Sequence, residues 1–389
     1  MRNSLLVALL LLVPACASTP HWYKGNLHTH SLWSDGDDFP ESVVAWYADR
    51  DYDFVALSDH NTIADNEKWV RIDAARRPAF DIYDARFGAE TRQRADTLEA
   101  RLRRYDEYQA VFEQPGRFLV IRAEEITDRF ENRPIHVNAT NIRHFVAPQG
   151  GTSVTDVMQR NIDVVLHQRA ETGQAMIPHI NHPNFGWTIT PADLVPLEGE
   201  QFFEVYNGHP LVHNEGDDQR PGTEPMWDFV NARRLAAGRP MLFGLATDDA
   251  HNYHEMAVGK ANPGRGWVRV RAEALTPEEL IEAMEKGDFY ASSGVELENV
   301  RFDGRRLLLD IDEEEGVTYE TAFVGARRVG ADSVAVGHVF ARLTGDEPSY
   351  RLTGDELFVR ATVVSDRPMK NPYRKGETEK AWVQPVVPR

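Results

Sequence analysis

Short apolar runs recur along the first three quarters of the chain: Phe54-Val55-Ala56-Leu57, Phe118-Leu119-Val120-Ile121, Phe202-Phe203-Glu204-Val205-Tyr206 and Met241-Leu242-Phe243-Gly244-Leu245-Ala246. Runs of this length, bounded by turn residues, read as buried strands. Ile135-His136-Val137-Asn138-Ala139 and Gly266-Trp267-Val268-Arg269-Val270 alternate, which also predicts strands. Helices are expected between them. One spans roughly 40–50 with Pro40 in its first turn, one 153–171 with Gly173 as its stop, and one roughly 224–237. Thr276-Pro277-Glu278-Glu279 opens another, with Leu280, Ile281 and Met284 as its buried face and Gly287 as its end.

Two stretches break this rhythm. Residues 66–116 are rich in Arg, Asp and Glu, and Leu98, Leu102, Tyr105 and Phe112 share one helical face. A helical insertion over the site is expected there, with Arg101, Arg103 and Arg104 available to an anionic substrate. From about 295, short strands such as Leu307-Leu308-Leu309, Tyr319–Phe323 and Leu357–Val363 alternate with Gly, Asp and Pro turns. This texture predicts a small antiparallel β-sandwich domain over 295–389.

At 389 residues the chain is too long for one usual core, so two domains are expected. The formal net charge of −18 argues against a nucleic-acid polymer as partner, since phosphate backbones need a basic footprint. It leaves room for a small phosphate ester met by metal ions. Residues 1–16 carry one arginine, then an apolar run too short to span a membrane, then Val13-Pro14-Ala15-Cys16. This resembles a bacterial lipoprotein signal, so export is expected, to the periplasm or to a lipid anchor at Cys16 as the one membrane contact. Cys16 is the single cysteine, which excludes thiolate catalysis and cysteine-type zinc sites.

The chemistry concentrates where strands end. His28 and His30 stand at i and i+2 and so share one face of a strand. Asp35 follows in Ser34-Asp35-Gly36, and the next apolar run ends in Ser58-Asp59-His60-Asn61. Glu124-Glu125, Asn181-His182-Pro183 and Asp248-Asp249-Ala250-His251 close later strands. Asn207 and His209 reach the same rim and are candidate substrate contacts.

His-Thr-His-Ser, Ser-Asp-Gly and Ser-Asp-His-Asn together resemble the PHP (polymerase and histidinol phosphatase) family over roughly residues 24–294. The resemblance implies an α/β fold over 21–294, a distorted (β/α)7 TIM-like barrel with metals at the C-terminal ends of its strands. It selects Glu125 over Glu124, adds His136, matches His182, and prefers Asp249 and His251 over Asp248. Three divalent ions (Zn, Mn or Fe) are implied, which nitrogen and oxygen ligands suit. His28, His30, Glu125 and Asp249 would hold the first, Glu125, His136 and His182 the second, and Asp35, His60 and His251 the third. Glu125, Asp249 and His251 are the expected catalytic residues. The expected activity is phosphoester hydrolysis by a metal-bound hydroxide on a small-molecule phosphate ester. Two alternatives stand beside it: an amidohydrolase-like C–N or C–O hydrolase, and a non-catalytic metal-dependent binding lipoprotein.

Overall fold

A computed structural model of the chain describes residues 19–330 and 333–388. The signal-type segment, Cys16 included, lies outside the described residues.

Among the described residues, thirteen strands join one sheet. Near its middle His21–Asn26 lies parallel to Phe54–Leu57, which lies parallel to the start of Leu119–Phe130. Period two divides these runs between two cores. Phe54, Ala56, Leu119 and Ile121 face a cluster inside the curl, while Val55, Leu57 and Val120 pack against Val43, Val44 and Tyr47 of helix Pro40–Ala48. Both faces are covered, so the runs are apolar throughout.

Leu119–Phe130 and Arg133–Thr140 form an antiparallel hairpin, and Ile177–Ile180 runs antiparallel to the latter. Phe202–Asn207 and Phe243–Thr247 then add in parallel. On the other side of His21–Asn26, Trp267–Ala272 and Phe289–Ser292 run antiparallel.

The sheet curls, but it is not the closed barrel expected from the resemblance. Phe243–Thr247 has one strand neighbour, Phe202–Asn207, and shares no ladder with Trp267–Ala272. Side chains span the gap instead. The Gln384 amide accepts from Gly244 N and donates to Gly244 O, each at 2.8 Å. The Asp248 carboxylate accepts from the backbone N–H groups of Gly264, Arg265 and Gly266 at 2.9, 2.6 and 2.9 Å. Leu245, Val268 and Phe289 therefore meet in one apolar cluster, covered by Leu280, Ile281 and Met284 of helix Pro277–Glu285.

The insertion is not the helix expected. Lys68–Arg71, Thr91–Arg94 and Thr97–Leu102 form a three-stranded sheet, flanked by helices Arg77–Phe87 and Tyr105–Phe112. Leu98 and Leu102 lie on a strand, where four residues apart is an even spacing and again one face. The insertion packs on helix Pro40–Ala48 through Phe80, Tyr83 and Leu102. Its arginines are engaged: Arg101 pairs with Glu107 at 2.8 Å, Arg103 with Glu41 at 3.0 Å and Arg104 with Asp106 at 3.3 Å.

The C-terminal strands form two antiparallel layers. Leu297–Phe302, Arg306–Ile311 and Ser349–Arg351 pack through Leu307, Leu309 and Ile311 onto Phe323, Val359 and Ala361 of the large sheet. That sheet runs unbroken past residue 294, because Thr378–Val386 pairs with Phe289–Ser292.

Candidate metal centre

The nine residues singled out as ligands converge at one rim of the curled sheet. His28 and His30 leave the end of His21–Asn26, both fully buried. Their backbones are pinned: His28 N donates to Asn26 Oδ1 at 3.1 Å, and His30 N to Ala250 O at 2.9 Å. Asp249 N donates to the His28 carbonyl at 3.0 Å. Asp249 sits at φ +49°, a left-handed conformation that aspartate tolerates better than most residues and that turns its carboxylate inward.

The Ser-Asp-Gly turn is shaped by Asp59. That carboxylate accepts from Ser31 N, Ser31 Oγ, Ser34 N and Ser34 Oγ, at 2.8, 2.7, 3.0 and 2.6 Å. Gly36 is required by close approach, since a Cβ there would lie 2.7 Å from the His30 carbonyl. Asp35 is thereby carried to the mouth, its side chain 56% exposed.

Glu125 is the hub, and it is 1% exposed. Five imidazoles face its carboxylate: His60 and His136 at 2.8 Å, His182 at 3.3 Å, His30 at 3.4 Å and His28 at 3.5 Å. Asp249 Oδ1 lies 3.3 Å from His28, 3.2 Å from His30 and 3.7 Å from His251. At the mouth Asp35 meets His251 at 3.3 Å and His60 at 3.5 Å.

Several ring nitrogens and carboxylate oxygens here lack hydrogen-bond partners. His28 Nε2, Glu125 Oε2 and His136 Nδ1 are buried without one, and the 2.8 Å approach of His136 to Glu125 is not aligned as a hydrogen bond. Uncompensated buried donors and acceptors cost stability, so so many aimed at one another fit an ion between them. Ligand atoms of His30, Asp35, His60 and His251 lie within 4.8 Å of one another, as do those of His28, His182 and Asp249, and of His60, Glu125 and His136. These groups overlap the three expected from sequence without matching them: His30 also reaches the Asp35 group, and His60 also reaches the His136 group.

Charge in the cluster is strongly coupled. Burial and then the neighbouring His251 hold His30 down to about 3, a neutral ring with one nitrogen lone pair to give. Burial opposes the charge on His60, yet Glu125 and Asp35 raise it to about 11. Burial likewise opposes ionisation of Glu125, but the imidazoles led by His136 and His60 hold it well below the usual carboxylate range.

The remaining candidates fall outside the cluster. Asn207, expected at the substrate rim, is fully buried: its Nδ2 donates to Glu204 Oε2 at 2.8 Å and Asp249 Oδ2 at 3.2 Å, and its Oδ1 accepts from His209 N. His209 stands on the rim, its ring centre 5.4 Å from that of His251 and 6.1 Å from that of Phe185. Asp248 faces the strand gap and takes bonds from Asn26 and Tyr47, both at 2.8 Å. Glu124 points away from the cluster as its register requires, but among the described residues it pairs with no arginine; its Oε1 accepts from Val146 N at 2.6 Å.

Sequence reasoning missed Glu204. It is fully buried, and its Oε1 lies 2.6 Å from His28 Nδ1 and 2.8 Å from Thr247 Oγ1. Its Oε2 accepts from His182 N at 2.7 Å. His179, expected in the core or behind the ligands, sits 3.5 Å from the same carboxylate. A lone glutamate inside Phe202-Phe203-Glu204-Val205 was the available signal, because a charge in a strand covered on both faces must have buried partners.

No family model and no curated protein matches the chain. Solved structures do. A two-domain protein from Bacteroides vulgatus, described as containing a predicted PHP-like metal-dependent phosphoesterase, is 14% identical with a TM-score of 0.40, over 94% of this chain and 95% of that one. A proposed metal-dependent phosphoesterase from Bifidobacterium adolescentis is 14% identical with a TM-score of 0.34, over 69% and 97%. An amidohydrolase from Chromobacterium violaceum, solved with sulfate and no metal, is 14% identical with a TM-score of 0.31, over 59% and 88%. At TM-scores of 0.40 and below, the functional reading rests on this chain's own side chains.

Proposed function

We propose that the chain is a metal-dependent hydrolase of PHP type and that it cleaves a small phosphate ester. The observation that carries this is one buried carboxylate, Glu125, faced by five imidazole nitrogens within 3.5 Å. Neutral imidazole and carboxylate together suit zinc, manganese or iron. Divalent ions held there lower the pKa of water toward about 7 and neutralise the oxygens of a phosphoryl group.

The chain's own residues divide the work. His28, His30, Glu125 and Asp249 hold the inner position, His136 and His182 extend it on one side, and Asp35, His60 and His251 extend it toward the mouth. Glu125 and Asp249 are assigned to catalysis because each carboxylate faces several imidazoles, and His251 because it stands beside Asp35 at the mouth. Glu204 and Asn207 position His28 and Asp249. Arg101, Arg103 and Arg104 of the insertion are all in ion pairs, so the charge of a phosphoryl group would fall mainly to the metal centre. That observation favours keeping a second reading, C–N or C–O hydrolysis at the same centre.

Metal analysis with a panel of phosphomonoesters, phosphodiesters, lactones and amides separates the two. Phosphate release is expected; turnover of a lactone or amide with no phosphate released from any ester would replace the first reading by the second. The setting proposed is the cell envelope, with Cys16 as anchor. Fractionation of Cys16→Ser tests it: release from membranes is expected, and a wild type already soluble and unlipidated by mass would refute it.

A further inference from the structure

We propose that His209 donates a hydrogen bond, through its Nε2–H, to the oxygen that leaves when the ester is cut. This rests on the phosphoesterase reading and adds to it a residue outside the ligand set.

The rim loop holds His209 in one pose. Its backbone N–H donates to Asn207 Oδ1 at 2.8 Å, and its carbonyl accepts from Val212 N at 3.0 Å. Just before it, Gly208 N donates to Thr247 O at 2.9 Å and Gly208 O accepts from Arg265 Nη1 at 2.9 Å. Arg265 is fully buried, and a Cβ at Gly208 would lie 2.8 Å from the Arg265 Cβ, so the loop is pressed against a fixed neighbour. The His209 ring stands edge-on to His251 and Phe185, with centres 5.4 and 6.1 Å away. Phe185 in turn lies 5.1 Å from His182. His209 therefore borders the cluster between two of its ligands.

One hydrogen bond sets its tautomer. Leu211 N donates to His209 Nδ1 at 3.2 Å. A ring nitrogen that accepts carries no proton, so the proton of the ring sits on Nε2. Among the described residues Nε2 has no hydrogen bond or ion pair, and His209 joins none of the groups whose ligand atoms lie within 4.8 Å of one another. The cluster presents lone pairs and carboxylates. His209 presents an N–H beside them.

Hydrolysis forms a bond from a water oxygen to phosphorus and breaks the ester P–O bond, whose electron pair goes to the ester oxygen. The two oxygens lie in line across phosphorus. Attack from the side of the buried carboxylates Glu125 and Asp249 sends the ester oxygen outward, to the rim where His209 stands. A neutral imidazole keeps its proton and stabilises the growing charge as a fixed donor. The released oxyanion takes its proton from water at the open mouth.

The test has two arms, both on the zinc-loaded full chain. Ring-nitrogen NMR, with the signals assigned by their loss in His209→Gln, should show Nε2 protonated and Nδ1 bare at pH 7. A proton on Nδ1, or on both nitrogens, overturns the proposal. The second arm compares 4-nitrophenyl with phenyl phosphate, or the corresponding diesters. His209→Phe should keep the wild-type zinc content. Its kcat should fall about a hundredfold on the phenyl ester, whose leaving oxygen is the more basic, and less than about tenfold on the nitrophenyl ester. His209→Gln, which retains an N–H, should recover part of the phenyl loss. Equal losses on the two esters, no loss, or loss of zinc from His209→Phe would each overturn the role. Should wild type release phosphate from no ester, the phosphoesterase reading itself falls; normal wild-type release with equal losses removes the role of His209 alone.

Discussion

Glu204 Oε1 lies 2.6 Å from His28 Nδ1, with both side chains wholly buried. The carboxylate takes the Nδ1 proton's hydrogen bond and leaves the Nε2 lone pair aimed at Glu125 and Asp249. Its second oxygen accepts from His182 N and Asn207 Nδ2, so one glutamate orients two ligands and their support. Glu204→Gln sets an amide NH2 either against His28 Nδ1–H or against the His182 N–H and Asn207 Nδ2 donors. Metal affinity should fall about 10- to 100-fold, the usual effect of losing such an orienting partner. Competition against a chromophoric chelator measures this; unchanged affinity would reduce Glu204 to a packing role.

Glu125→Gln keeps the shape but removes the charge at the centre of five imidazoles. Loss of at least one ion and a fall in kcat of about a hundredfold or more are expected. Glu124→Gln, one residue away and facing Val146, should keep the full metal complement. Metal stoichiometry and rate of the two variants side by side decide the register. Metal loss from the second variant and not the first would reverse the assignment.

Glu124 also shapes the response to pH. Burial, aided by Asp65 and opposed by the bond from Val146 N, pushes its carboxyl up to about 8 from an ordinary 4.5. The folded chain thus holds a proton that the unfolded chain releases. Stability from this group is complete below about 4.5 and is lost as pH rises to about 8, at no more than about 1.4 kcal/mol per pH unit. Glu124→Gln should flatten that decline. Urea unfolding of both proteins at pH 5 and pH 8 checks it, and parallel profiles would contradict the assignment.

Arg360, fully buried on strand Glu356–Pro368, reaches Asp228 at 2.6 and 2.9 Å and Glu224 at 3.1 Å on helix Thr223–Ala236. Arg360→Met strands a buried carboxylate and should cost about 3–5 kcal/mol. Adding Asp228→Asn should recover part of that loss. Denaturant midpoints for the single and double variants measure the recovery; strict additivity would show the pair to be uncoupled.

Much of the ligand cluster was legible because His28, His30, His60, His182, Asp249 and His251 follow the ends of apolar strands, whereas Glu125 and His136, expected at or near such ends, lie inside Leu119–Phe130 and Arg133–Thr140. His28 and His30 at i and i+2 needed only the strand's period. Glu204 was hidden inside its strand, where hydrophobic neighbours mask a single charge. Asn207 looked like a turn residue because Asn-Gly suits turns, yet its burial makes it a brace. Leu98 and Leu102 were misread because a spacing of four fits helix and strand alike. The open sheet was not legible at all: nothing in the alternation of Ile135–Ala139 records that this strand runs against both neighbours.

The Gln384–Gly244 contact joins positions 140 residues apart. During synthesis, the strand that leads to Asp249 emerges with one flank bare, and the amide that covers it follows only 140 residues later. The wall behind the ligand cluster is therefore completed well after the cluster's own residues are made. An ion arriving early would find ligands in view but the wall behind them unfinished.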